Sequence, residues 1–76
     1  MQLGEIIDGK QIIANFMDMV VLTRCGGEGF SVWNVKPNGN WWGERHYDAL
    51  PAAVDSFACR CKIAAGVEGR ELHARV

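Results

Sequence analysis

The chain has 76 residues, a size that gives one hydrophobic core and no room for a second, so residues 1–76 are read as a single domain. Eight Lys and Arg stand against nine Asp and Glu, for a formal net charge of −1. That balance speaks against both the basic excess of a duplex-binding protein and the dense acidic face of a nucleic-acid mimic.

In residues 1–19, Ile6-Ile7, Asp8-Gly9-Lys10 and Gln11-Ile12-Ile13 predict a hairpin, because isoleucine pairs on either side of Asp-Gly are a strong turn signal. The competing pattern is a helix lined by Ile12, Ile13, Phe16, Met17 and Val20. Three β-rich runs follow. Val20-Val21-Leu22-Thr23-Arg24 is the first, and the glycines of Cys25-Gly26-Gly27-Glu28-Gly29 supply the positive φ that a hairpin loop needs. Phe30 to Val35 is the second. Lys36-Pro37-Asn38-Gly39 has turn chemistry, with Pro presetting φ and Asn-Gly accepting left-handed geometry. Trp41 to Tyr47 is the third.

From Asp48 the apolar period lengthens, and Leu50, Val54, Phe57, Ala58, Cys61 and Ala65 fall on one stripe of a helical projection. Asp48 is assigned as N-cap, Pro51 sits in the first turn, and Arg60 and Lys62 suit the C-terminal end of the helix dipole. Gly66 is expected to stop the helix, and the alternation of Glu71-Leu72-His73-Ala74-Arg75-Val76 to make a short edge strand. The fold class is therefore α+β: an antiparallel sheet of three to five strands with one amphipathic helix, about residues 49–65, packed on one face.

Alternation sends Val20, Leu22, Phe30 and Val32 toward the helix and Trp33 and Val35 to the other face. Trp41 and Trp42 are adjacent and must point to opposite faces, so at least one tryptophan joins Trp33 away from the helix or at its rim. Exposed tryptophans are enriched among interface hot spots, which makes Trp33, Trp41, Trp42 and the nearby Arg45 the candidate partner-binding residues. The competing reading is that the N-terminal segment covers this face and all three tryptophans are core.

Catalysis requires a nucleophile beside a base, or paired acids, in a water-excluding pocket, and the sequence shows no such pattern. Nor does it show a P-loop or dinucleotide fingerprint. No catalytic or cofactor-binding residue is assigned, no cofactor is expected, and the chain is read as non-enzymatic. Cys59 and Cys61, two apart on a helix, diverge by about 200° and cannot easily grip one ion, so no metal site is expected either. Three cysteines, an odd number without a secretory segment or a membrane-spanning stretch, indicate a reduced, cytoplasmic protein with no membrane partner.

Val20 to Arg24, Phe30 to Trp33, Trp42-Gly43 with His46-Tyr47, and the helix from Leu50 to Arg60 together resemble short phage and mobile-element proteins in which an antiparallel sheet precedes one amphipathic helix. Some proteins of that kind are inhibitors of host defence, anti-CRISPR proteins among them. The resemblance implies a non-enzymatic inhibitor or adaptor that docks on a host protein or protein complex and blocks it sterically. The alternative is a single-stranded nucleic-acid binding module that stacks bases on the same aromatics. Open sheet edges in so short a chain also raise the prospect of a homodimer.

Overall fold

The computed structural model describes residues 2–27 and 29–74, with side chains through Gly66. Five antiparallel strands form one sheet in the order of the chain: β1 (Ile6–Ile7), β2 (Lys10–Phe16), β3 (Val20–Cys25), β4 (Phe30–Val35) and β5 (Trp41–Tyr47). One helix, α1 (Leu50–Ala74), follows. The α+β fold read from the sequence is the fold observed, and the N-terminal residues form strands rather than a helix.

Each hairpin is closed by turn chemistry. Asp8 and Gly9 both have positive φ (51° and 78°), the conformation that matches a two-residue loop to the twist of its strands. Between β4 and β5, the Gly39 amide donates to the Lys36 carbonyl at 2.8 Å and Gly39 takes a φ of 90°. This is a turn closed by a left-handed glycine, as Pro-Asn-Gly suggests. The turn between β2 and β3 carries no such signal. Met17 and Asp18 adopt φ of 51° and 55° without being glycine, which costs each about 1 kcal/mol. Asn15 offsets part of it, accepting from the Asp18 amide at 3.1 Å and donating to the Asp18 carboxylate at 2.9 Å.

The helix lies over β3 and β4. Its fully buried contact is Ala53, which meets Val20, Leu22 and Val32, and Phe57, Cys61 and Ala64 of the helix pack against the same cluster, as do Phe16, Met19 and Phe30. The stripe expected from the sequence is thus rotated by about one residue. Phe57 and Cys61 keep their places, while Leu50 and Val54 stay partly exposed (39% and 43%). The reason is steric: at the closest approach a methyl side chain lets the helix sit down on the β-branched sheet surface, and larger residues are displaced to the flank.

Four further expectations about the helix are corrected. Ala49 occupies the position before the helix, its carbonyl accepting from the Ala53 amide at 3.3 Å. Asp48 stands one residue earlier, 3.7 Å from His46, and is not the cap. The helix passes through Gly66 and runs to Ala74, so the edge strand expected at residues 71–74 is helical, and residues 75–76 lie outside the described residues. Glycine inside a helix costs only about 1 kcal/mol, and the Ala, Glu, Arg and Leu residues around Gly66 and Gly69 are strong helix formers. Arg60 is therefore mid-helix, where its Nη1 donates to Asn34 Oδ1 of β4 at 2.6 Å. Among the described residues no helix is long and apolar enough to cross a membrane.

Candidate functional site

The sheet face away from the helix is built by register. Thr23 pairs with Ser31 and Val21 with Trp33, while a bulge between Ile12 and Ala14 keeps Lys10 and Ile12 on this face and turns Ala14 and Phe16 to the other. A second bulge, at Gly43, sets two residues of β5 opposite Trp33. It places Trp41, Glu44 and His46 on this face and Trp42, Arg45 and Tyr47 on the helix side.

The four residues singled out from the sequence therefore separate into two pairs. Trp33 and Trp41 come together, with ring centroids 5.6 Å apart and planes tilted by 54°. Both are half-buried. Trp42, half exposed at 52%, and the exposed Arg45 lie on the opposite face of the same strand.

Trp33 is fixed from below and from the side. Its Nε1 donates to Thr23 Oγ1 at 3.2 Å, and the buried Thr23 hydroxyl in turn donates to the Ser31 carbonyl at 3.3 Å. The Lys10 ammonium sits 5.6 Å from the Trp33 ring centroid, within cation–π range. Around the tryptophans lies an open cleft of about 380 Å³, bordered by Ile7, Asp8 and Lys10 from the first hairpin and by Gly39 and Asn40 from the last. These hairpins are at diagonally opposite corners of the sheet. Strand twist lifts such corners toward one face, which is how a five-stranded meander makes a concavity without a second layer. The N-terminal segment pairs edgewise with β2, the Ile12 amide donating to the Glu5 carbonyl at 2.9 Å, and leaves the tryptophan cleft open.

Beside the tryptophans is a polar network that the sequence did not reveal. The buried Ser31 hydroxyl contacts Glu44 Oε2 at 2.9 Å, His46 Nδ1 at 3.3 Å and Cys25 Sγ at 3.3 Å. A hydroxyl has one proton, and its shortest contact assigns that proton to the Glu44 carboxylate, leaving the oxygen as an acceptor. With no accessible surface, Ser31 cannot present its oxygen to a substrate. The network joins β3, β4 and β5 side by side. Gly29, at φ 82°, abuts the His46 ring, and a Cβ there would meet the ring and the Tyr47 carbonyl.

All three cysteines are free. Cys59 is exposed, whereas Cys61 is packed in the helix interface, where burial pushes its thiol above the ordinary value of 9.0. Among the described residues no group of three or more His, Cys, Asp or Glu side chains is placed to hold a metal ion.

Lys10 is the main residue of the cleft that the sequence reading did not single out. The Asp-Gly turn pairs it with Ile7, but its face depends on the register of β2 against β3, set by the Met17-Asp18 turn and the Ile12 bulge. No family model matches the chain, and no curated protein or solved structure matches it.

Proposed function

We propose that this chain is a non-enzymatic binding domain, an inhibitor or adaptor that docks on a host protein or protein complex through its Trp33–Trp41 cleft. The observation that carries the reading is the cleft itself. Two large aromatic rings stand half-exposed at its wall, and Trp33 is already immobilised by Thr23 and Lys10. Pre-ordered aromatics lose little side-chain entropy on binding and bury a large area, the properties of an interface anchor. The burial of Ser31 supports a binding role over hydrolytic chemistry at the one Ser-His contact present among the described residues. The likeness to phage proteins that block host defence assemblies supplies the target class, with steric obstruction as the mode because net charge −1 provides no nucleic-acid mimicry.

The test is capture from nuclease-treated bacterial lysate with wild-type protein and with Trp41→Ala. A stoichiometric protein complex retained by the wild type and weakened by about 2 kcal/mol in the variant, whose circular dichroism is unchanged, is the expected result. Retention unaffected by Trp41→Ala rules the cleft out.

Single-stranded nucleic acid remains the second reading, favoured by one observation: a lysine ammonium beside two tryptophans combines a stacking surface with a phosphate contact. Affinity that falls steeply with salt identifies it, since phosphate contacts release counterions. An aromatic-anchored protein interface changes far less.

A further inference from the structure

On the other side of the molecule, β5 and α1 enclose a second cleft, of about 540 Å³, that belongs to neither the tryptophan site nor the packed core. β5 is the last strand of the sheet, with β4 on one side and, among the described residues, no strand on the other. On either side of the Gly43 bulge, alternate backbone N–H and C=O groups therefore point outward without a ladder partner among the described residues. The helix sits over β3 and β4, so it stands back from this edge. The wall it presents carries small side chains at helical spacing, Ala52, Ser56 and Cys59, which leave the volume unfilled.

The cleft is also charged. Arg45 projects from β5 and Arg60 from α1, and no carboxylate lies within 4 Å of either among the described residues. Asp55, on the exposed side of the helix, borders the cleft without pairing with them. Arg45 is the register partner of Val32, and Arg60 Nη1 donates to Asn34 Oδ1, two residues further along β4. On an added strand, side chains of one face recur every second residue, about 7 Å apart. The opposite face of β5 carries Glu44 and His46, where a second acidic row would meet a carboxylate.

We infer that the β5–α1 cleft accepts an extended acidic peptide segment as a sixth strand. Its backbone pairs with the outer edge of β5, and carboxylates at alternate positions meet Arg45 and Arg60. This surface is independent of the tryptophan cleft, so either can fail without the other.

The probe is a seven-residue peptide of alternating glutamate and threonine, titrated into isotopically labelled full chain and read by amide NMR shifts. The expected result is a set of shifts confined to residues 41–47 and to the helix wall around Ala52 to Arg60. Three controls accompany it. Replacing the glutamates by lysines abolishes the shifts, and Arg45→Gln, at an exposed position that does not support the core, weakens binding about tenfold. N-methylation of alternate peptide amides removes the strand hydrogen bonds while keeping the carboxylates, and abolishes binding as well. No shifts at millimolar peptide, equal binding of the methylated peptide, or shifts mapping to Trp33 and Lys10 instead overturns the inference. So does a concentration-dependent dimer closed through β5, since the edge is then occupied by a second copy.

Discussion

The two faces of the sheet are closed by different means, although the same strands serve both. Toward the helix, Val20, Leu22 and Val32 are buried by apolar contact with Ala53 and Phe57. Toward the tryptophans, Ile12 and Val21 are buried too, but beside them Thr23 and Ser31 are equally buried by hydrogen bonds to Trp33, Glu44 and His46. Apolar packing is non-directional and tolerates small rearrangement, whereas the polar face holds its side chains at defined distances. The helix side is thus closed mainly by apolar packing, and the other side adds a hydrogen-bonded, pre-ordered surface.

The comparison breaks most readily at Leu22. Leu22→Ala deletes buried methyl groups beneath Ala53 and is expected to lower the unfolding free energy by about 3 kcal/mol in urea, with an unchanged m-value. A loss under about 1 kcal/mol would mean that the helix contributes little to the core. Thr23→Val, on the other face, keeps the shape but removes the acceptor of the Trp33 indole N–H. It is expected to cost about 1–2 kcal/mol and to shift the tryptophan emission, a signature that Leu22→Ala at the helix interface should not reproduce.

The smallest effect sharpens the same contrast through pH. Cys61 is packed against the helix-side core and its thiol is raised by burial, so the folded state holds that proton more tightly than the unfolded chain. Its contribution to stability is complete below the ordinary value of 9.0 and declines as pH rises through the folded value. Cys61→Ala should flatten the alkaline limb of the stability profile. Cys59→Ala, at an exposed position, should leave that limb in place, and the Cys59 thiol should react first with an alkylating reagent.

Much of the architecture is legible in local chemistry. Phe30–Val35 and Trp41–Tyr47 are strands at the bounds their alternation predicts, and Asp8-Gly9 and Pro37-Asn38-Gly39 make the turns their φ preferences favour. The separation of Trp33 from the helix side follows from period two alone. The candidate site was only half legible. Trp33 and Trp41 share a cleft, but Trp42 and Arg45 face the other way, and neither Lys10 nor Arg60 could be placed without the registers that position them.

The sequence alone determined the order and type of the elements from β2 to the start of α1, because turn preferences and apolar periodicity act over a few residues. Tertiary structure alone decided the rest. The bulges at Ile12–Ala14 and Gly43 choose which face each side chain takes, and Ala53 becomes the point of closest approach because the sheet surface beneath it selects a methyl group over Leu50 or Val54. Helix continuation past Gly66 depends on a balance of about 1 kcal/mol that the residues around it tip. The bulges and the helix seat join residues distant in sequence, and so turn on contacts that no local window contains.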